Sequence, residues 1–136
     1  MATVPATDTE NGSGAAFEER SNAMKLVIAY IQPERLNAVK QALYEAEVTK
    51  ISITNALGCG QQGGFHESYR GADIEVNLLK KVRIEIAVNE DYLQPAIDAI
   101  IKGARTGAIG DGKIFVVELA QCIRIRTSEM GAVAVG

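Results

Sequence analysis

Residues 82–104 read VRIEIAVNEDYLQPAIDAIIKGA and predict a strand followed directly by a helix. Through residues 82–88 apolar side chains alternate with charged or small ones, which is typical of a strand with one buried face. Asn89, with two acidic residues after it, is a good helix start, whereas Pro95 predicts a late start or a kink. The apolar face of this helix comprises Leu93, Ile97, Ile100 and Ala104.

A similar strand–helix pattern comes earlier in the chain. Residues 26–31, LVIAYI, form a compact apolar run that fits a buried strand. Pro33 then suits the first turn of a helix. The apolar face of that helix comprises Leu36, Val39, Leu43 and Ala46. Ile51 and Ile53 alternate with polar residues and predict the next strand.

Two further strands are predicted at residues 113–119 and 123–127. Up to residue 119 the order is strand, helix, strand, loop, strand, helix, strand, which corresponds to two βαβ halves. It predicts an α+β, ferredoxin-like fold with a four-stranded antiparallel sheet. Helices cover one face of such a sheet, and the other face would carry many apolar residues here. We therefore expect self-association.

Residues 1–23 differ from the rest in composition. They are rich in Ala, Thr, Glu, Gly and Ser without periodicity, which predicts a disordered tail. Residues 21–23 (SNA) are typical of an expression-tag scar, so Met24 is the expected natural start. The predicted domain is then residues 24–136.

Charge and hydropathy exclude several classes of partner. The chain has 14 basic and 17 acidic residues and a net charge of −3, all of it carried by the tail. A balanced domain argues against nucleic acid as the ligand. No apolar run reaches the roughly 20 residues of a membrane-spanning helix, and no leader pattern begins the chain. We expect a cytoplasmic protein with Cys59 and Cys122 reduced.

The stretch 58–73 interrupts the periodic pattern with five glycines, and loops of this length are usually functional. Residues 58–63 match G-x-G-x-x-G, but neither a helix pattern nor an acidic ribose partner follows, which excludes a Rossmann site. His66 and Cys59 lack metal-ligand spacing, so a solvent-facing loop histidine is expected.

Two clusters could bind anions. Arg124 and Arg126 are two apart on a predicted strand, so they would either hold a polyphosphate from one face or form ion pairs at a solvated edge. Residues 106–113, TGAIGDGK, would be a phosphate loop or an ordinary turn. The loop is not of Walker type, because Ile114 replaces the required Ser or Thr. With no marked catalytic base, a binding protein is favoured over an enzyme.

In combination these motifs resemble the PII nitrogen-signalling family across residues 24–136. Tyr69-Arg70-Gly71-Ala72 is similar to the family's T-loop signature, residues 106–115 to its B-loop signature, and residues 123–127 to its C-terminal ligand-binding strand. The resemblance implies a homotrimeric, non-enzymatic signalling protein. Its T-loop would span about 58–76 and its B-loop about 106–113.

The resemblance also implies ATP or ADP bound in clefts between subunits. The implied nucleotide ligands are Ser52, Glu85, Gly110, Asp111, Gly112, Lys113, Arg124 and Arg126. Ser52 would replace a threonine near the adenine, with Glu85 also close to the base. Gln62 would meet a Mg²⁺ ion carried by ATP, and Lys81 would hold a carboxylate of 2-oxoglutarate. The T-loop residues that would contact a target are Tyr69, Arg70 and Gly71.

Four positions depart from the family pattern. Ile74 stands at the uridylylated tyrosine and Ala72 at a serine phosphorylated in some members, so neither covalent switch can operate there. Gly63 and Ala108 replace basic residues of the T-loop and B-loop. These changes resemble a divergent paralogue that keeps nucleotide binding and changes its modification and its partners.

The implied function is regulation of a target through the T-loop, either a membrane transporter of the ammonium-channel type or a metabolic enzyme. The alternative is a carbon, energy or metal sensor of the same fold that responds to AMP, bicarbonate or a metal ion. Gln62 and Lys81 favour 2-oxoglutarate as the second effector, whereas Gln61 and Gly63 weaken that assignment.

Overall fold

The computed structural model describes residues 23–59, 65–66, 75–76 and 78–136. The predicted tail therefore lies outside the described residues, apart from Ala23. Gln62 and the predicted target-binding residues 69–71 also lie outside them.

The strands and helices predicted up to residue 119 form in the predicted order, with two short strands and a C-terminal helix in addition. A short 3-10 turn, Pro33–Arg35, leads into the first helix. The elements are β1 (Met24–Ile31), α1 (Leu36–Glu45), β2 (Ser52–Gly58), β3 (Phe65–His66), β4 (Glu75–Val76), β5 (Leu79–Asn89), α2 (Glu90–Ala104), β6 (Lys113–Glu118) and α3 (Ala132–Val135).

The main sheet has the strand order β2-β5-β1-β6, and each strand is antiparallel to its neighbours. Strands β1 and β2 consequently run parallel on either side of β5, and β5 and β6 run parallel on either side of β1. Each βαβ half is thus split by a strand of the other half. This arrangement confirms the predicted ferredoxin-like fold.

Helices α1 and α2 cover one face of the sheet and enclose the core. Alternate residues of β1 and β5 point toward them, and Ile84 and Ile86 are almost completely buried. Burial of each such side chain contributes about 1.5–3 kcal/mol. Gly103 lets the helices approach closely, because a Cβ there would lie 2.6 Å from the Cα of Val39. No helix in the described ranges is long and apolar enough to cross a membrane.

In the described part of the chain no helix covers the opposite face of the sheet, and that face carries apolar side chains, as the sequence pattern predicted. Strand register places Ile28 beside Phe115 and Leu26 beside Val117 on this face. Phe115 is 48% exposed and Val117 is 44% exposed. Tyr30 meets Phe115 edge to face, with ring centroids 6.3 Å apart. Exposed apolar surface of this kind is typical of interfaces.

Helix α2 begins at Glu90, so the late start predicted from Pro95 was wrong. Pro95 is the sixth helical residue, and its missing N–H would have bonded to the carbonyl of Asp91. Asp91 is exposed, so water can satisfy that carbonyl and the proline is tolerated in the second turn.

The strand predicted at residues 123–127 is not formed. Ile123 makes an isolated bridge with Met130, and between them the Ser128 N–H donates to the Arg124 carbonyl at 2.7 Å. Ser128 has a φ of 65°, which turns the chain back. The segment pairs with neither edge of the sheet, and Ile125 is 98% exposed. Alternation predicted a buried face here, but a strand also needs a neighbouring strand to bond to.

Candidate functional site

The glycine-rich loop between α2 and β6 is organised around Asp111. Its Oδ2 accepts the backbone N–H groups of Thr106 at 2.8 Å and Gly107 at 2.9 Å, and its Oδ1 accepts the Thr106 hydroxyl at 2.5 Å. The same hydroxyl accepts the N–H of Ala108 at 3.2 Å. The carboxylate thus ties the start of the loop to its end. The implied role of Asp111 as a phosphate ligand cannot involve these occupied oxygens, because two anions would repel.

These bonds affect the titration of Asp111. The hydroxyl of Thr106 and the backbone N–H groups of Thr106 and Gly107 hold its pKa below the ordinary 3.8. A carboxyl group with a lowered pKa stabilises the folded state above its unfolded pKa. That stabilisation is lost as the pH falls below 3.8 toward the folded value.

Replacing Thr106 with Val preserves the shape of the side chain but removes its hydroxyl. The hydrogen bond from that hydroxyl is the largest cause of the lowered pKa of Asp111. We expect the pKa of Asp111 to rise toward 3.8, with loosening of the loop at neutral pH. Titration of the Asp111 carboxyl carbon by NMR measures the shift, and Thr106→Ser, which keeps the hydroxyl, is the matched control. An Asp111 pKa unaltered by Thr106→Val contradicts this account of the loop.

The far end of the loop is fixed to the sheet through one carbonyl. The Gly110 oxygen accepts both Gln32 Nε2 at 3.1 Å and Lys81 Nζ at 3.0 Å. Gly110 has a φ of 107° and Gly112 a φ of 111°. These left-handed conformations favour glycine and bring the loop backbone against the end of β1. Lys81, implied as a carboxylate ligand, is therefore bound to the phosphate-type loop.

Ser52 and Glu85, the two residues implied near an adenine, are neighbours. They face each other across β2 and β5 on the sheet face without helices. Glu85 forms an ion pair with Arg83 Nη2 at 2.8 Å. The guanidinium keeps Glu85 in place beside Ser52, so the structure brings this implied pair together.

Arg124 lies in the turn after the sheet and bonds to the C-terminal residues. Its Nη1 pairs with Glu129 Oε1 at 2.5 Å, and its Nη2 donates to the Val133 carbonyl at 2.8 Å. Arg126 lies in the same turn and is exposed. The arginines do not project side by side from a strand, because no strand forms there.

The implied phosphate ligands are divided between opposite ends of the sheet. The loop end at Gly112 lies against Tyr30, near the Ile31–Val82 pair. The segment bonded to Arg124 lies at the other end, where Asn89 Nδ2 donates to the Ala132 carbonyl at 3.1 Å and Asn89 pairs with Met24. Seven strand residues, roughly 20 Å at about 3.3 Å each, separate these ends. One chain therefore does not bring its loop and its Arg124 to the same phosphate group.

The cleft beside the loop is small. It has a volume of about 300 Å³ and is bordered by Tyr30, Ile101, Arg105 and Lys113. This is the lower limit for sites that bind small molecules. In the described ranges no three His, Cys, Asp or Glu side chains lie close enough to hold a metal ion.

Comparison with known proteins settles the family. The model of the family described as nitrogen regulatory protein P-II matches residues 24–129. The chain belongs to the P-II family. It is 50% identical over 115 residues to nitrogen regulatory protein GlnK1 of Methanosarcina mazei, an alignment that covers 83% of this chain and 98% of the relative.

Solved P-II structures share the fold. The B. subtilis GlnK–ATP complex matches with a TM-score of 0.69 and 33% identity, over 84% of this chain and 97% of that chain. Arabidopsis thaliana PII bound to citrate matches with a TM-score of 0.67 and 33% identity, over 83% and 90%. The resemblance identified from the three motifs is confirmed.

Two residues of this candidate site were not predicted from the sequence. Gln32 directly follows β1, so its position at the strand end was the available signal for contact with the loop. Arg83 lies two residues from Glu85 on one strand, and that spacing places both side chains on one face. Neither signal is specific without the fold.

Proposed function

We propose that this P-II family protein is a homotrimeric regulator, not an enzyme, that binds ATP or ADP between subunits and acts on a target through residues 58–76. The observation that carries the proposal is the separation of the 106–113 loop from Arg124 by most of the sheet. A phosphate site that uses both must take the loop from one copy and the arginine from another.

The apolar sheet face supports the assembly. Tyr30, Phe115 and Val117 present apolar surface on the sheet face that none of the described helices covers. Packing these faces together would remove that surface from water, at about 25 cal/mol per Å². It would also bring Ser52 and Glu85, which lie on the same face, close to the neighbouring copies. Closed symmetry is the rule for such assemblies.

The chemistry of the divided site suits a nucleotide. Gly110, Gly112 and Lys113 would offer backbone N–H groups and an ammonium to phosphates, while Asp111 keeps the loop in shape. The guanidinium of Arg124 would complete the phosphate site from the other copy, with Arg126 beside it. Ser52 and Glu85 supply a hydroxyl and a carboxylate for the amino and ring nitrogens of a base. The ATP named for the similar B. subtilis protein supports this assignment.

A second effector would act through Lys81. This ammonium already bonds to the Gly110 carbonyl, so a carboxylate that recruited Lys81 would alter the phosphate loop directly. We assign 2-oxoglutarate, with Mg²⁺ held by ATP and Gln62, to this position. The citrate named for the Arabidopsis protein is likewise a carboxylate. The alternative is a site with changed specificity, at which AMP, bicarbonate or a metal ion is the second effector.

The conformation of residues 58–76 would then depend on the bound ligand. A cytoplasmic target, either a membrane transporter or a metabolic enzyme, would recognise that conformation. The physical mechanism is a population shift, in which each ligand acts through its different affinity for two loop states. With Ile74 and Ala72 in place of hydroxyl residues, ligand occupancy rather than covalent modification at those positions would set the loop.

Calorimetric titration of ATP into the protein, with Mg²⁺ and with or without 2-oxoglutarate, tests the proposal. We expect ATP to bind and 2-oxoglutarate to lower its Kd by about tenfold or more, the size of a typical coupling between sites. If the Kd of ATP is the same with and without 2-oxoglutarate, 2-oxoglutarate is refuted as the second effector. AMP, bicarbonate and metal ions are then the effectors to titrate. Failure of both ATP and ADP to bind refutes the nucleotide assignment.

A further inference from the structure

The C-terminal strap, defined as residues 129–136, bonds to Arg124 through a side chain and a backbone carbonyl. Glu129 Oε1 pairs with Arg124 and also accepts the Thr127 hydroxyl at 2.8 Å. The carbonyl of Val133 takes the second guanidinium nitrogen of Arg124. Both ends of the guanidinium fork are therefore bonded to the strap.

The strap also lies against a second cation. A Cβ built on Gly136 would be 2.8 Å from Lys50 Nζ and 4.0 Å from Arg124 Nη2. Lys50 and Arg124 are thus close to one point in space and both adjoin the strap. Two cations near one point favour an anion beside them, and a phosphate suits a guanidinium fork beside an ammonium.

Elsewhere the strap is held by hydrogen bonds, and Val135 borders a pocket that Ile86, Val88 and Tyr92 also line. Asn89 Nδ2 donates to the Ala132 carbonyl, and the Gly131 N–H donates to the Cys122 carbonyl at 2.9 Å. Gly131 adopts φ 83° and ψ −151°, a conformation that is essentially restricted to glycine. No residue of the strap is buried or belongs to the hydrophobic core, so the strap can be released without opening that core.

We propose that Arg124 and Lys50 form a phosphate-binding site, and that the strap, when bonded to Arg124, competes with the phosphates of a nucleotide. This inference rests on the proposed nucleotide binding and adds Lys50 and the strap to it. When Glu129 and Val133 leave Arg124, its guanidinium becomes available to the phosphates presented by the loop of a neighbouring copy. Only molecules with an open strap bind the phosphates at this site. The measured Kd is therefore the intrinsic Kd divided by the fraction of molecules whose strap is open.

Two variants open the strap in different ways. Glu129→Gln weakens the ion pair with Arg124, whereas Gly131→Ala disfavours the turn without changing charge. A Cβ on Gly131 meets no atom within 4 Å, so the alanine acts through backbone conformation alone. Glu45→Gln is the matched control, because Glu45 is an exposed carboxylate paired with Lys102 on another face.

Calorimetry with Mg-ATP on the full chain measures the effect. We expect Glu129→Gln and Gly131→Ala each to lower the Kd about two- to fivefold, the range of an exposed ion pair, and Glu45→Gln to leave it unchanged. Lys50→Gln should raise the Kd by a similar factor. The side-chain amide resonance of Asn89 reports strap release independently, and ATP and Gly131→Ala should shift it in the same direction.

Each outcome separates the two proposals. If ATP binds the wild type and both strap variants equally, or binds Gly131→Ala more weakly, the competing strap is refuted and nucleotide binding stands. If ATP and ADP bind to none of these proteins, the proposed function fails, and the strap inference fails with it.

Discussion

Replacing Gly112 with Ala is expected to lower the free energy of unfolding by at least about 3 kcal/mol, because the new Cβ has no space and the backbone is strained. That Cβ would lie 1.8 Å from the Tyr30 carbonyl oxygen, and Gly112 has a φ of 111°. Tyr30 is part of a central strand and cannot move aside. Movement of the loop is the only relief, so ATP binding should fall as well.

Gly107→Ala is the matched control for this effect. Gly107 has a φ of 94° in the same loop, but a Cβ added there would meet no atom within 4 Å. Only the conformational strain applies there, at about 1–2 kcal/mol. Chemical denaturation of both variants measures the difference, and equal losses of stability would refute the close contact between the loop and β1.

Replacing Arg124 with Ala is expected to weaken ATP binding about 10- to 100-fold. A hydrogen bond to a charged group contributes about 1.5–3 kcal/mol, and each 1.4 kcal/mol is tenfold in affinity. The measurement is calorimetric titration of ATP. An unaltered Kd would remove Arg124 from the proposed phosphate site.

Arg124→Lys separates charge from geometry. The lysine retains the positive charge but loses the planar fork that can bond two phosphate oxygens. We expect it to recover only part of the lost affinity. If Arg124→Lys bound ATP as tightly as the wild type, Arg124 would act through its charge alone, and the bidentate contact with the phosphate would be wrong.

Most of the fold could be predicted because the periodic patterns have a direct physical cause. Alternation through residues 82–88 predicted β5, and the apolar positions from Leu36 to Ala46 predicted α1. The pattern at 123–127 was equally regular but did not produce a strand. Alternation reports which side chains could be buried, whereas a strand also needs hydrogen-bond partners, and these depend on the rest of the fold.

The sequence predicted which residues make up the candidate site better than it predicted how they are arranged in space. Closely spaced glycines and a terminal lysine marked the 106–113 loop, and the family resemblance assigned Ser52 and Glu85 to the same base. The bond from Lys81 to the Gly110 carbonyl could not be foreseen, since 29 residues separate them along the chain. The division of the phosphate ligands between two ends of the sheet is likewise a property of topology, which no local pattern contains.

That division makes ligand binding and subunit association two parts of one coupled equilibrium. In the proposed trimer each nucleotide would bridge two copies of the chain, so its binding free energy would add to the free energy that holds the copies together. Dilution would then weaken nucleotide binding, and nucleotide would oppose dissociation. By mass action, the protein would respond to its own concentration as well as to that of its ligand.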